Sequence, residues 1–284
     1  DLINKNNIFS DKRIKIIKKD LKNLKKIKNS SINHCVHLAT DTNIESVENK
    51  KYISKTVIDG GLNLLNLIKK NKIHNVIYAS SGAVYGKLKQ PNNGYKESMN
   101  IKSKDYESNN YYGYAKNYIE KKYINSLKNN KYNLNILRIF TLIGQHLPLD
   151  SHYAIAEFSK QSLNNKDIII KNNPDIIRSY LYIGDLTTWI IKLLTIKQKN
   201  QLYNIGSDKK INIINLAKKI IKIHNSKSKI ICEKNTRRRR ISRKVREGVS
   251  INFKEEFIWK YQKSSRDFRT NTEYSTRDSW FLWF

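Results

Sequence analysis

Apolar positions along the chain alternate between short runs and longer stretches with helical spacing. Residues 52–71 and 112–127 carry apolar side chains at the spacing of an amphipathic helix. Strands that alternate with helices predict βαβ units and an α/β fold with a doubly wound parallel sheet. The runs predicted as strands, each rich in β-branched or aromatic residues, are RIKII at 13–17, CVHLA at 35–39, NVIYAS at 75–80 and LNILRIF at 134–140.

Composition favours a folded protein outside the membrane. The chain has 284 residues, of which 39% are hydrophobic, enough for one large α/β domain or two smaller ones. It contains no apolar run of about 18 residues and no signal pattern at DLINKNNIFS, so we expect a cytoplasmic protein with no membrane span. Its two cysteines, Cys35 and Cys232, have no metal-type spacing and indicate a reducing compartment.

The net charge of +31 raises the question of a nucleic-acid partner. The lysines, however, are spread through the whole sequence together with many Asn and Ile residues. That distribution favours a general compositional bias over a nucleic-acid site. The exception is TRRRRISRKVR at 236–246, a dense cationic block that suits either phosphate binding or a disordered arm.

Candidate chemistry lies at YYGYAK, residues 111–116. Tyr112 and Lys116 are four residues apart, so on a helix the phenol and the ammonium share one face. With 17 tyrosines in the chain, this spacing also arises by chance. Ser80 and Ser81 follow a predicted buried strand, at the sheet edge where α/β proteins bind ligands, although a plain β-turn also favours Ser and Gly.

Together these segments resemble the NAD-dependent nucleotide-sugar epimerases and dehydratases, a family of the extended short-chain dehydrogenase/reductase superfamily. The similarity extends from about residue 13 to 217, in the family's order. The matching segments are HLAT (37–40), DGGLNLL (59–65), SSGAVYG (80–86), YGYAKNYIE (112–120), LRIFTLIG (137–144), RSYLYIGDL (178–186) and YNIGS (203–207).

The resemblance implies three catalytic residues. Tyr112 would be the base, with Lys116 lowering the pKa of its phenol from about 10 and binding the nicotinamide ribose. Ser81 would hydrogen-bond the substrate hydroxyl. Removal of that hydroxyl proton, with hydride transfer to NAD from the same carbon, gives a keto-sugar.

The resemblance also implies binding residues and a homodimer. Asp1, Ala39 and Ser80 would contact NAD, together with Tyr112 and Lys116. Thr141, Arg178 and Ser81 would contact the nucleotide-diphosphate sugar. The planar guanidinium of Arg178 would donate hydrogen bonds to the phosphate oxygens. A surface ion pair of Arg178 with Asp175 or Asp185 is the alternative. His34 and His37 are interpreted as core or edge residues, with no metal site.

The sequence departs from the family at the glycine-rich turn that approaches the cofactor pyrophosphate. No Gly-x-x-Gly-x-x-Gly occurs, so the sheet is expected to be incomplete at the N-terminus, with the chain beginning after the first βα unit. We expect an NAD-binding domain at 1–140, a mainly substrate-binding part at 141–261 in which 178–204 return to the first domain, and an irregular tail at 262–284.

Two further departures concern the reaction. Thr141 stands where many members have Asn, and Gly82-Ala83 where dehydratases commonly have an acid/base pair of Asp and Glu. An epimerase, or a related reductase or decarboxylase, is therefore favoured over a dehydratase. The alternative to an enzyme is a catalytically dead basic protein that binds polyanions through residues 236–246.

Overall fold

The structure is a computed structural model. It describes residues 14–27, 32–40, 50–86, 88, 94–102, 110–129, 131–144, 147, 149, 153–171, 173–196, 200–233 and 281–283, with the backbone alone at 50, 51 and 281–283. Asp1 and the cationic block at 236–246 lie outside these residues.

Five α-helices and eleven strands are present in the part of the chain that the structure describes. The helices are α1 (Lys50–Lys70), α2 (Tyr111–Ser126), α3 (Ala154–Leu163), α4 (Ile183–Thr195) and α5 (Ile213–Ile223). The strands are β1 (His34–His37), β2 (Asn75–Ser81), β3 (Asn133–Ile139), β4 (Leu142–Ile143), β5 (Ile168–Ile170), β6 (Ile177–Ser179), β7 (Leu181–Tyr182), β8 (Gln201–Ile205), β9 (Lys210–Asn212), β10 (Ile230–Cys232) and β11 (Phe281–Trp283).

The central sheet has five parallel strands in the order β11-β1-β2-β3-β8. Strands β1, β2, β3 and β8 are apolar on both faces, and alternate residues face different helices. In β2, Val76 and Tyr78 pack with α1 and α2, whereas Ile77 packs with α4. Helices on both faces of a parallel sheet are the doubly wound fold that the sequence predicted, and the prediction is confirmed.

One predicted strand is absent. The run RIKII was expected to join the sheet, but Ile14–Ile17 have no regular secondary structure, and Ile14 and Ile16 are exposed. A strand needs a hydrogen-bonded neighbour, and among the described residues the sheet ends at β11. The chain becomes buried only from Leu24, which packs against the α1 side of the sheet.

Residues of the carboxyl-terminal half of the described chain form a smaller apolar cluster. Ile155 and Phe158 of α3 pack with Leu216 and Ile220 of α5 and with Ile168 of β5. Strands β5 and β10 pair in parallel at the edge of this cluster, and β6 pairs antiparallel with β9. None of the described helices is long and apolar enough to cross a membrane.

Strand β11 pairs in parallel with β1, with Leu282 opposite Cys35. The sequence analysis predicted no regular element in this tail, because its apolar residues follow no period. A strand of three residues forms because the exposed edge of β1 offers it hydrogen-bonding partners, and its own pattern of apolar residues is too short to predict it.

Two adjacent glycines in α1 should respond in opposite ways to alanine. A β-carbon at Gly60 would lie 3.7 Å from Leu21 Cδ2, an ordinary contact, whereas one at Gly61 would lie 2.8 Å from Ile119 Cδ1 of α2. We expect Gly60→Ala to raise the free energy of unfolding by about 0.5–1 kcal/mol, because alanine favours a helix. Gly61→Ala should lower it by about 1–3 kcal/mol through overpacking. Urea unfolding measures both, and equal effects would contradict the close packing of α1 on α2.

Candidate active site

The start of α2 is fixed against the end of β2. Asn110 caps the helix by accepting a hydrogen bond from the Gly113 amide at 3.0 Å, and its own amide donates to the Ala83 carbonyl oxygen at 3.0 Å. A β-carbon on Gly113 would overlap that same carbonyl oxygen. Glycine is therefore needed for α2 to approach the 3₁₀ turn Gly82–Tyr85, and this approach brings Tyr112 beside Ser81.

Tyr112 and Lys116 lie on one face of α2, and both line the same cleft as Ser81. The hydroxyls of Ser81 and Thr40 act on the Tyr112 phenol so as to lower its pKa. The Lys116 amine lies 5.7 Å from the centre of the Tyr112 ring. It donates to Thr40 Oγ1 at 2.7 Å and to the Ala79 carbonyl oxygen at 2.8 Å, with 2% of the residue exposed. The three side chains therefore face one cleft, with the Lys116 amine beside the Tyr112 ring.

The pKa values in this group differ from the sequence-based expectation. Burial raises the pKa of Tyr112 to about 12, against opposing hydrogen bonds from Ser81 and Thr40. Burial also lowers the pKa of Lys116 to about 7, against the opposing charge of Glu120. The sequence analysis expected Lys116 to lower the pKa of the phenol, whereas in this structure burial has the largest effect on both groups and disfavours the charged form of each.

Ser80 and Ser81 have different surroundings, although both border the cleft. Ser81 Oγ accepts a hydrogen bond from the Ala83 amide at 3.2 Å and faces Tyr112. The Ser80 hydroxyl is buried on the other side of the strand and donates to Glu120 Oε1 at 2.5 Å. Alternation along β2 therefore directs one serine to the reactive group and the other to the core.

Glu120 and Arg138 form a buried ion pair below the cleft, which the sequence analysis missed. Arg138 Nη2 donates to Glu120 Oε2 at 2.8 Å, and only 6% and 1% of the two side chains are exposed. Arg138 Nη1 also donates to the Tyr85 hydroxyl at 3.1 Å. Two signals were present: Glu120 lies on the Tyr112–Lys116 face at a further four-residue step, and Arg138 interrupts the apolar run LNILRIF.

Ser81, Tyr112 and Lys116 border a cleft of about 1290 Å³ at the carboxyl ends of β1, β2 and β3. Thr40 borders the cleft, whereas its neighbour Ala39, the predicted cofactor contact, is not among the lining residues. The Ala39 carbonyl oxygen accepts a hydrogen bond from the Thr40 hydroxyl at 2.7 Å. The described residues that line the cleft and that bear on its chemistry are Thr40, Ser81, Tyr112, Lys116, Thr141 and Arg178.

The remaining predicted positions also have clear locations. Thr141 and Arg178 also line the cleft. Arg178 Nη1 donates to the carbonyl oxygen of Ile177 at 3.0 Å, and among the described residues Arg178 forms no ion pair with Asp175 or Asp185. His37 is buried and hydrogen-bonds the Tyr123 hydroxyl at 3.1 Å, and burial lowers its pKa to about 3.

Comparison with known proteins identifies the family of the chain. Residues 2–206 match the model of the NAD dependent epimerase/dehydratase family. The chain belongs to this family. The family and fold that the sequence predicted are therefore confirmed.

Individual members of the epimerase/dehydratase family show how far the similarity extends. A putative UDP-glucose 4-epimerase of Methanocaldococcus jannaschii is 28% identical over 74% of this chain and 67% of its own length. A dTDP-D-glucose 4,6-dehydratase of Dictyostelium discoideum is 29% identical over 66% of this chain and 44% of its own length. The chain therefore spans about two thirds or less of these relatives.

Solved structures of the epimerase/dehydratase family agree with the fold. The UDP-N-acetylglucosamine 4-epimerase of Methanobrevibacter ruminantium M1, in complex with UDP-N-acetylmuramic acid, is 26% identical with a TM-score of 0.64. The match covers 77% of this chain and 70% of that one.

Proposed function

We propose that this chain carries the catalytic centre of an NAD-dependent enzyme that oxidises a hydroxyl group of a nucleotide-diphosphate sugar, and that within this class it is an epimerase. The convergence of Ser81, Tyr112 and Lys116 on one cleft is the observation that carries the proposal. Family membership supports it, since the relatives named above act on nucleotide sugars.

Each of these residues has a task that its surroundings suit. Ser81 would present a hydroxyl to the substrate hydroxyl, and Tyr112, which lines the same cleft, would exchange a proton with it. Lys116 supplies a buried amine whose pKa of about 7 lets it hold or release a proton near neutrality. NAD, when bound, accepts hydride from the carbon that bears the hydroxyl.

The residues at the carboxyl ends of β1 and β2 fit the reactive half of such a cofactor. Thr40 and Lys116 place a hydroxyl and an amine on the cleft wall, which suits the hydroxyl groups of a ribose. The sequence holds no glycine-rich turn for the pyrophosphate. The fit therefore concerns the nicotinamide ribose, with Thr40, Tyr112 and Lys116 as the candidate contacts, whereas the Ser80 hydroxyl is held by Glu120.

The part of the cleft formed by strands β6 and β9 suits the diphosphate of the substrate. Arg178 on β6 and Lys210 on β9 lie on paired strands, with Ser179 opposite Lys210, and both line the cleft. An arginine fork beside a lysine is a favourable environment for phosphate oxygens. Thr141, at the end of β3, is positioned to contact the sugar.

The cleft favours an epimerase over a dehydratase. Elimination of water needs an additional acid and base, and among the described residues that line the cleft Asp208 is the sole carboxylate. A β-carbon at Gly82 would lie 2.7 Å from the Phe140 ring, so an aspartate cannot replace this glycine unless Phe140 moves. The lining residues thus suit the oxidation step that both reactions share, but they do not include the acid and base that elimination of water needs.

The test is incubation of the purified chain with NAD and a panel of UDP-, dTDP- and GDP-sugars, with products separated by chromatography. We expect interconversion of a pair of epimers. Tyr112→Phe should lower kcat by about 10² or more, because it removes the group that exchanges the proton. Tyr114→Phe, an exposed tyrosine on the same helix, is the matched control and should retain activity. Absence of turnover with every sugar, or full activity of Tyr112→Phe, would overturn the proposal.

A further inference from the structure

Residues 95–97, called the wall segment below, border the cleft without belonging to a helix or a strand. Tyr95 lines the cleft, and the segment passes from irregular backbone into a turn. Its backbone polar groups therefore have no helix or sheet to satisfy them and need partners from elsewhere. The position of the wall segment depends on those partners.

Three side chains approach the three consecutive carbonyl oxygens of the wall segment. Asn204 Nδ2 donates to the first at 2.8 Å, the Tyr85 hydroxyl lies 3.2 Å from the second, and Arg138 Nη1 lies 3.4 Å from the third. The backbone amide of Asn204 also donates to the Glu97 carboxylate at 2.8 Å. The three side chains come from β8, the 3₁₀ turn and β3, so residues distant in sequence hold the segment.

Tyr85 is the centre of this arrangement. Its hydroxyl accepts a hydrogen bond from Arg138 Nη1 at 3.1 Å and lies 2.6 Å from Asn204 Oδ1, the nearer acceptor for its single hydrogen. Its ring stacks on the Tyr95 ring, with 4.3 Å between the ring centres and 6° between the planes. Tyr85 is 1% exposed and is not among the residues that line the cleft. It can therefore act on a bound molecule only through the residues that it holds.

The same network is attached to the elements that carry the reactive side chains. Arg138 is paired with Glu120 of α2, and Glu120 Oε1 accepts a hydrogen bond from the Ser80 hydroxyl at 2.5 Å. Ser80 directly precedes Ser81 on β2, and α2 also carries the reactive tyrosine and lysine. Polar contacts thus join β2 and α2 to the wall segment through the interior of the protein.

We propose that Tyr85 is a positioning residue of this site, whose hydroxyl fixes the wall segment where the sugar of the substrate binds. Tyr85 ends the 3₁₀ turn that begins directly after Ser81, and its ring stacks on Tyr95, which lines the cleft. The wall segment is thereby joined to the turn beside the serine that would contact the sugar hydroxyl. A wall that is fixed before the substrate arrives need not be ordered on binding, which favours affinity. The inference rests on the proposed function, since it concerns the orientation of the sugar in the same reaction.

Tyr85→Phe tests the role of the hydroxyl, because it keeps the stacked ring and removes the contacts with Arg138 and Asn204. For the nucleotide sugar that the wild type converts, we expect KM to rise about tenfold and kcat to stay within about threefold, because the lost contacts touch no reacting group. Tyr132→Phe makes the same chemical change just before β3, at the amino end of the sheet, and should leave both constants unchanged. An unchanged KM in Tyr85→Phe, or a loss confined to kcat, would overturn the positioning role.

A double-variant cycle distinguishes one shared contact from two independent effects. Asn204→Leu replaces the amide that meets the Tyr85 hydroxyl by an apolar side chain of similar size. We expect KM to rise about tenfold in this variant and no further in Tyr85→Phe/Asn204→Leu, because either change already releases the wall segment. A rise of about a hundredfold in the double variant would mean independent effects and would overturn the shared contact.

Hydrogen–deuterium exchange separates this inference from the proposed function. Peptides that contain residues 94–101 should exchange faster in Tyr85→Phe than in wild type, and at the wild-type rate in Tyr132→Phe. Asn204→Leu should show the same faster exchange and provides the measurement if Tyr85→Phe does not fold. Unchanged exchange would overturn the positioning role whatever the activity. An inactive wild type would instead overturn the proposed function and the sugar-binding role of the wall segment, while faster exchange would still show that Tyr85 holds it.

Discussion

Arg138→Met is expected to lower the free energy of unfolding by about 3–5 kcal/mol, because it leaves the Glu120 carboxylate buried without its cation. Glu120 is 1% exposed and receives hydrogen bonds from Arg138 at 2.8, 3.1 and 3.3 Å. Burial lowers the pKa of Arg138, but the hydrogen bonds and charge of Glu120 outweigh burial and raise it. Urea unfolding of wild type and variant measures the loss.

The matched control is the double variant Glu120→Gln/Arg138→Met, in which neither buried side chain carries a charge. It should recover most of the lost stability, because an uncompensated carboxylate, rather than the missing contacts, accounts for the largest part of the cost. The glutamine carbonyl oxygen can still accept a hydrogen bond from the Ser80 hydroxyl. A double variant as unstable as Arg138→Met alone would contradict this explanation.

Lys116→Met should make the protein more stable near and below pH 7. The pKa of Lys116 is lowered by burial to about 7 from 10.5. Since one pKa unit corresponds to about 1.4 kcal/mol, keeping this amine charged in the folded protein below pH 7 costs on the order of 4–5 kcal/mol. Methionine forfeits two hydrogen bonds worth about 1 kcal/mol each, so the net gain is about 2–3 kcal/mol at pH 6.

The sign of this effect changes with pH in a defined way. A lysine whose pKa is lowered by folding binds fewer protons in the folded protein than in the unfolded chain between about pH 7 and 10.5. Wild-type stability therefore rises with pH across that window, whereas methionine contributes no such slope. The advantage of Lys116→Met is full below pH 7 and shrinks as the pH approaches 10.5.

Unfolding of both proteins by urea between pH 6 and 9 measures this difference. Lys122→Met, which removes an exposed lysine from the same helix, is the control and should change stability by less than about 0.5 kcal/mol at every pH. A difference between wild type and Lys116→Met that is constant with pH, or a less stable variant at pH 6, would contradict the buried charge. A stabilised variant without activity would place Lys116 among residues kept for function at a cost in stability.

The sequence predicted most of the sheet and the position of the Tyr112–Lys116 pair. The reason is local: buried parallel strands require unbroken apolar runs, and a four-residue step on a helix fixes which side chains share a face. Strand β2 and helix α2 lie within one or two residues of their predicted bounds for this reason.

The parts that the sequence did not predict depend on contacts between distant segments. Residues 13–17 have a strand-like pattern, but pairing depends on a neighbour that the pattern does not contain. The contact between Thr40 and Lys116 depends on the distance from the end of β1 to α2, and burial of Glu120 with Arg138 depends on how α2 crosses β3. The pKa of Tyr112 likewise depends on burial, which the spacing of two residues does not contain.

The pairing of β11 with β1 has a consequence for the order of folding. The two strands lie near opposite ends of the described chain, so their pairing closes a very long loop, and such non-local contacts slow folding. Until they meet, β1 has an open edge with apolar side chains above and below it. We expect the nascent protein to be most prone to aggregation during that interval, when another copy can add a strand at the same edge.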